Sequence, residues 1–114
     1  KCLALEEKYM DAVTGLSGSG PAYVFEFIEA LKECGVGAGL DAKIAYQLAV
    51  QTVKGAVELL IETGEEPSKL RDNVTSPGGT TAKGLEVLNN NSFRKIIGGA
   101  IAAATQRSIE LGKK

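Results

Sequence analysis

The segment Asp72-Asn73-Val74-Thr75-Ser76-Pro77-Gly78-Gly79-Thr80-Thr81 joins two stretches with helical patterning and decides how the chain is arranged. Pro77 has no backbone N–H and disfavours the α conformation at Ser76, while the two glycines that follow tolerate dihedral angles closed to other residues. We therefore expect a sharp turn of the backbone here. A helical pattern resumes at Thr80, so the unpaired N–H groups of its first turn are expected to face the glycine turn.

The same segment has the features of a small anion site. The hydroxyl groups of Ser76, Thr80 and Thr81, together with the positive end of a helix dipole, suit a carboxylate or a phosphate. A nucleotide triphosphate fits poorly, because Lys83 lacks the flanking residues that the Walker pattern requires. A plain helix-to-helix turn with a threonine cap explains the same residues, since such turns commonly contain Gly and Pro. Both interpretations stay open at this level.

Length and charge describe one ordinary domain. The chain has 114 residues, of which 44% are hydrophobic and 24% charged, with a net charge of -1. Such a length suits a single domain with its own core. The charge balance provides no basic surface for nucleic acid, so we expect no nucleic-acid partner.

Several kinds of chemistry are excluded by composition. The chain contains no histidine, which rules out a histidine-based triad or metal cluster within it. Cys2 and Cys34 are spaced for neither a disulfide framework nor a zinc site, so reduced thiols and no metal are expected. The uncharged run 96–106 is too short for a membrane span of about 20 residues, and the N-terminus has no signal-peptide pattern. A start at Lys1 rather than methionine suggests a piece of a longer chain.

Apolar residues recur at helical spacing along the whole chain, and no strand pattern is found. The third predicted helix is expected to begin after an Asp41 cap and to stop at Gly64, and Ser92 is expected to cap the last helix. The predicted inner face of the third helix is Ile44, Leu48, Thr52, Val53, Ala56, Leu59 and Leu60. About six helices are predicted: 5 to about 18, 21 to about 36, 42 to about 63, 67–74, 82 to about 88, and 93 to about 111.

The glycine-rich segment 15–23 separates the first two helices. It is not a dinucleotide-binding fingerprint, because no strand precedes it and no βαβ unit follows. We interpret it as a helix break and restart, with Ser19 or Gly20 as the N-cap and Pro21 in the first turn.

The last predicted helix is apolar or glycine on every side between Ile96 and Ala104. A helix of this kind requires burial all round. A second copy of the chain would supply it in an isologous dimer, and the alternative is a central helix in a monomeric bundle.

Two motifs carry a resemblance to a known family. Asp11-Ala12-Val13-Thr14-Gly15-Leu16-Ser17-Gly18-Ser19-Gly20-Pro21-Ala22-Tyr23 and the segment 72–81 resemble, in this order, motifs of pyrroline-5-carboxylate reductase, the enzyme of the last step of proline synthesis. The resemblance covers nearly the whole chain. It implies that residues 1–114 form the C-terminal helical substrate-binding and dimerisation domain. The implied fold is an all-α helical bundle that resembles the C-terminal domain of the 6-phosphogluconate dehydrogenase-like superfamily and is interlocked with a second copy in a dimer.

The resemblance also implies roles for individual residues. Ser76, Gly79 and Thr80 correspond to the carboxylate-binding loop, which uses backbone N–H groups and the Ser76 hydroxyl. Thr81 matches the catalytic threonine whose hydroxyl meets the ring nitrogen of the substrate.

Three further residues match the apolar side of the ring. These are Gly20 and Pro21, with Val74 bordering the same pocket. The implied reaction is hydride transfer from NADPH or NADH to the C=N bond of pyrroline-5-carboxylate. The cofactor belongs to an N-terminal Rossmann domain that is absent from this chain, so the fragment alone is not expected to be active.

The implied assembly is a cytoplasmic homodimer, with a decamer of five dimers as a further step and no contact with a membrane. Two alternatives remain beside the reductase. One is a helical assembly module without a ligand function of its own. The other is a generic anion-binding helical domain, for which phosphate would compete as well as a carboxylate.

Overall fold

The computed structural model describes residues 6–113, and within that range the chain is helical with no strand. The all-α prediction is confirmed. Leu5, where the first predicted helix begins, and Cys2 lie outside the described residues. The elements are a 3-10 turn Glu7–Tyr9, α1 Met10–Val13, a π-helical turn Thr14–Gly18, α2 Gly20–Gly37, α3 Ala42–Thr63, α4 Pro67–Asn73, α5 Thr80–Asn90 and α6 Phe93–Leu111.

The chain divides into two compact units. One unit contains the N-terminal residues up to Val24 together with the residues from Leu88 onward, and the other is Phe25–Val87. In the first unit, α1 and the π-helical turn pack against α6. The Ser108 hydroxyl of α6 donates a 2.7 Å hydrogen bond to the Asp11 carboxylate of α1, which ties these elements together.

The π-helical turn differs from the plain helix predicted for residues 5 to 18. The Ser19 N–H donates to the Thr14 carbonyl, five residues back, at 2.9 Å. The predicted break is short, because α2 begins at Gly20 and the Ala22 N–H donates to the Ser19 carbonyl at 3.1 Å. The restart with Pro21 in the first turn is confirmed.

Helix α3 has the boundaries that its local signals predicted. The Asp41 carboxylate accepts hydrogen bonds from the N–H groups of Lys43 and Ile44, at 3.1 and 3.4 Å, and so caps the helix. The helix ends at Gly64, whose φ of 67° is in the left-handed region that glycine adopts most readily.

The predicted inner face of α3 is wrong in part. The buried residues are Ala45 and Ala49, whereas Ile44 and Leu48 are 48% and 52% exposed. The reason is close packing through small residues: a Cβ added to Gly35 of α2 would lie only 3.3 Å from the Ala45 Cβ. Of the larger residues of the predicted face, Ile44, Leu48 and Leu59 are exposed, whereas Val53 and Leu60 are half-buried as expected.

Helix α6 begins after Ser92, but the predicted capping hydrogen bond is wrong. The backbone of Ser92 has φ 60° and ψ 42°, and its side chain makes no capping hydrogen bond. Capping by a side chain requires an extended backbone at this position, which explains the difference.

Much of the apolar surface of the described chain is uncovered. No residue of α6 is buried, and Ile96 is 64% exposed. The alternative in which α6 is the buried centre of a monomeric bundle is therefore wrong. Within residues 6–113, α3 is the one helix long and apolar enough to cross a membrane by length and composition. Core helices of soluble proteins meet the same criterion, so this feature does not assign α3 to a membrane.

Candidate functional site

The loop between α4 and α5 begins as an extension of α4. The Val74 and Thr75 N–H groups donate to the carbonyls of Arg71 and Asp72, at 3.3 and 3.1 Å. The Thr75 hydroxyl donates to the Arg71 carbonyl at 2.6 Å. These bonds fix the chain up to Thr75, so the turn that follows starts from a defined position.

The turn predicted at Pro77 is present. The Gly79 N–H donates to the Ser76 carbonyl at 3.0 Å, and Gly78 has a φ of 71°. Pro77 is the second residue of this four-residue turn and Gly78, with its positive φ, is the third. This is the pattern of a type II turn. The sharp reversal of the backbone expected from the sequence is confirmed.

Gly79 leaves space for the Ser76 side chain. A Cβ at position 79 would lie 2.6 Å from the Ser76 Oγ and 3.3 Å from the Ser76 carbonyl oxygen. The Ser76 side chain is exposed, and its hydroxyl makes no hydrogen bond within residues 6–113. Only glycine at position 79 therefore allows the hydroxyl to keep this place, where it is free to meet a ligand.

The first turn of α5 presents unpaired donors. The bond from the Lys83 N–H to the Gly79 carbonyl, at 3.2 Å, is the first of the helix. The N–H groups of Thr80, Thr81 and Ala82 have no backbone acceptor in the part of the chain that the structure describes. Such groups at a helix N-terminus attract an anion. The Gly79 N–H is already used within the turn, so the amides left for a ligand are those that follow it.

The remaining predicted residues belong to two different units of the chain. Gly20 and Pro21 form the start of α2 in the first unit. Val74 lies in the second unit, as does the loop of residues 76–82, which we call the anion loop. Val74 is 64% exposed. The structure thus brings together Ser76, Gly79, Thr80 and Thr81 of the predicted set, and the placement of the other three beside the same ring stays a prediction.

An apolar cavity of about 420 Å³ lies in the second unit beside Val74. Sequence reasoning did not find it, although the small residues of α3 that leave room for it were visible in the sequence. The Arg71 guanidinium at its edge donates to the Asp72 carboxylate at 3.0 and 3.1 Å. The cavity is lined by Gly55, Ala56, Leu59, Leu60, Pro67, Leu70, Arg71 and Val74.

Comparison with known proteins decides the family. Residues 7–111 match the pyrroline-5-carboxylate reductase dimerisation family. The chain belongs to this family. The resemblance inferred from the two motifs is confirmed, and a dimerisation domain implies association with a second copy of the chain.

Similar proteins carry the name of the same family. The chain is 58% identical over 108 residues to pyrroline-5-carboxylate reductase of Synechocystis sp., covering 95% of this chain and 40% of that protein. It is 55% identical over 106 residues to the Glycine max enzyme of the same name, covering 93% of this chain and 39% of that protein. The chain therefore spans about two fifths of the length of these reductases.

Solved structures of family members share the fold. Pyrroline carboxylate reductase of Plasmodium falciparum, solved with NADP bound, has a TM-score of 0.92 and 43% identity, covering 96% of this chain and 42% of that one. The Coxiella burnetii reductase has a TM-score of 0.92 and 40% identity, covering 97% and 41%. Both support the helical architecture described above.

Proposed function

We propose that residues 1–114 form the C-terminal substrate-binding and dimerisation domain of a pyrroline-5-carboxylate reductase. The complete protein would reduce 1-pyrroline-5-carboxylate to L-proline with NADPH or NADH. The observation that carries the proposal is the loop 76–82: it contains three N–H groups without a backbone acceptor and the Ser76 hydroxyl, in a chain 58% identical to a protein of this name.

The loop suits the carboxylate of the substrate. Hydrogen bonds to a carboxylate contribute about 1.5–3 kcal/mol each, more than bonds between neutral groups. The amides of Thr80, Thr81 and Ala82 and the Ser76 hydroxyl are the donors left unpaired in the described part of the chain, and Gly79 provides the space. A carboxylate held there would place the ring nitrogen near the Thr81 hydroxyl, which would orient the C=N bond by hydrogen bonding, with Thr81 as the catalytic residue.

The nicotinamide cofactor belongs to another part of the complete protein. Residues Thr14–Gly18 form a π-helical turn, Gly20 begins α2, and no strand precedes them in the described residues from 6 onward, so they do not form a dinucleotide-binding turn. When bound, the cofactor supplies the hydride, and the protein positions the two reactants. NADP in the Plasmodium falciparum structure supports a nicotinamide cofactor for the complete protein.

The apolar α6 supports a homodimer as the working form. With no residue of α6 buried in the chain alone, a second copy would cover it. Five such dimers would form the decamer implied by the family resemblance. We place the complete enzyme in the cytoplasm, without a nucleic-acid or membrane partner.

The role of Thr81 is tested by Thr81→Ala in the complete reductase. Loss of a hydrogen bond to the reacting nitrogen should lower kcat/KM by roughly 1–3 kcal/mol in transition-state terms. Thr52→Ala on α3, which removes an exposed hydroxyl elsewhere, is the control. Unchanged kinetics in the Thr81 variant would remove Thr81 from this role.

Binding to the chain itself separates the reductase domain from the two alternatives. We expect L-proline to shift the amide resonances of Thr80, Thr81 and Ala82 in the dimeric chain, with inorganic phosphate competing poorly. Equal competition by phosphate would favour a generic anion-binding domain. A dimer that binds neither compound would favour an assembly module without a ligand function.

A further inference from the structure

The side chain of Tyr23 reaches back from α2 to the π-helical turn. Its hydroxyl lies 3.2 Å from the Gly15 carbonyl oxygen and 3.5 Å from that of Ala100. The phenolic group has one proton to donate, and the shorter contact has the better hydrogen-bond distance. Tyr23 therefore donates mainly to Gly15.

The Gly15 carbonyl needs this donor because of the π register. In a regular α-helix it would accept from the N–H of the residue four positions on, Ser19. Here the Ser19 N–H donates to Thr14 instead, at 2.9 Å. Gly15 itself is buried against α6, where an unpaired carbonyl is costly. The Tyr23 hydroxyl replaces the bond that the π register removes.

The register decides where the following residues point. Each residue of an α-helix turns the chain by about 100°, so removing the extra residue of a π turn would redirect everything after it. Gly20 and Pro21 follow directly. Gly15 anchors one end of the turn, since a Cβ there would lie 2.9 Å from the Ile101 carbonyl oxygen of α6. The Tyr23 hydroxyl connects that anchored residue to α2.

We propose that Tyr23 is a positioning residue that holds the π register and thereby sets the direction in which Gly20 and Pro21, the residues expected to border the substrate ring, face. The part that concerns the ring rests on the proposed function of the chain. The role of Tyr23 in the π register does not depend on that function, and a separate experiment tests it.

NMR spectroscopy of the chain itself can determine the hydrogen-bond register of the π-helical turn. Scalar coupling across the hydrogen bond identifies the acceptor of the Ser19 N–H, and we expect coupling to the Thr14 carbonyl carbon in the wild type. In Tyr23→Phe this coupling should weaken or be replaced by coupling to Gly15. The same coupling to Thr14 in both proteins would overturn the proposal.

Steady-state kinetics of the complete reductase test the consequence for the substrate. We expect Tyr23→Phe to raise KM for pyrroline-5-carboxylate about 3- to 10-fold, the effect of losing one hydrogen bond, with KM for the dinucleotide unchanged. Partial unfolding would instead lower the apparent kcat and leave both KM values alone. Tyr46→Phe is the control, because Tyr46 is 54% exposed and its hydroxyl has no partner in the described part of the chain.

The outcomes separate this inference from the proposed function. A wild-type enzyme that does not reduce pyrroline-5-carboxylate would contradict the proposed function, while the NMR measurement would still decide the register. An active wild type with an unchanged substrate KM in Tyr23→Phe would contradict the positioning role alone.

Discussion

Gly15 in the π-helical turn lies directly against Thr105 of α6, with no room for a side chain between them. A Cβ at position 15 would overlap the Thr105 hydroxyl and lie 3.1 Å from the Thr105 backbone nitrogen. Two backbones approach this closely only where one residue is glycine. This contact joins segments 90 residues apart in the sequence and holds the N-terminal part of the first unit on its last helix.

Gly15→Ala should therefore destabilise the protein by about 1–3 kcal/mol, the usual cost of overpacking a close contact. The clash is with backbone atoms of α6 as well as with the Thr105 side chain, so a rotamer change does not relieve it. Urea denaturation of the dimeric chain at fixed concentration measures the effect.

Gly18→Ala in the same turn is the matched control. Of the residues that the structure describes, a Cβ there would meet only the Thr14 side chain, at the ordinary distance of 3.7 Å. We expect a change below about 1 kcal/mol, set by helix propensity. Equal losses in the two variants would show that the turn, rather than the contact with Thr105, determines the stability.

The sequence predicted those parts of the fold that local chemistry determines. Asp41 and Gly64 bound α3 because a capping carboxylate and a left-handed glycine act within one turn of the chain. The turn at Pro77 was predictable for the same reason. The π-helical turn was not, because its Gly15 packs against Thr105, a contact between residues distant in the sequence that no local pattern contains.

The same distinction, between features set by local sequence and features set by packing or backbone geometry, applies to burial and to the candidate site. Side-chain size suggested that Ile44 lies inside, but the contact between Gly35 and Ala45 decides which face of α3 is covered. In the candidate site, the position of the turn at Pro77 was predictable from its residue types. The use of the Gly79 N–H within the turn is a matter of geometry that residue types do not reveal.

Substitutions at the N-cap residues of α3 and α6, Asp41 and Ser92, are expected to change the stability in opposite directions. Asp41→Ala should cost about 1 kcal/mol, because two N–H groups of α3 lose their acceptor.

Ser92→Gly should stabilise the chain by about 0.5–1 kcal/mol, since Ser92 has a φ of 60° and makes no capping bond to lose. Thermal denaturation of both variants checks this. A loss of stability in Ser92→Gly would indicate that the serine hydroxyl does cap α6 in solution.

Glycines on α6 test whether a second copy covers this helix. A Cβ at Gly98 or Gly99 would meet nothing within 4 Å among residues 6–113 of the single chain. On an exposed helix, each change to alanine should stabilise by about 1 kcal/mol. If a second copy packs closely on α6, the added methyl groups should instead weaken the dimer, which sedimentation equilibrium measures.

Gly84→Ala on α5 is the control for this pair, because position 84 is equally open. It should give the gain in helix stability without changing the dimer dissociation constant. The dimer model for α6 is contradicted if Gly98→Ala and Gly99→Ala behave in the same way as Gly84→Ala.

Gly79→Ala should weaken the binding of the substrate carboxylate while the chain stays folded. The new Cβ would lie 2.6 Å from the Ser76 Oγ, so the hydroxyl must leave the place from which it faces the ligand. Loss of one hydrogen bond to a carboxylate corresponds to about 1.5–3 kcal/mol, or at least a tenfold rise in KM for pyrroline-5-carboxylate. Ser76→Ala removes the same hydroxyl without adding a clash, so it should raise KM by a similar factor. A large effect of Gly79→Ala beside wild-type kinetics in Ser76→Ala would assign the binding to the loop backbone rather than to the hydroxyl.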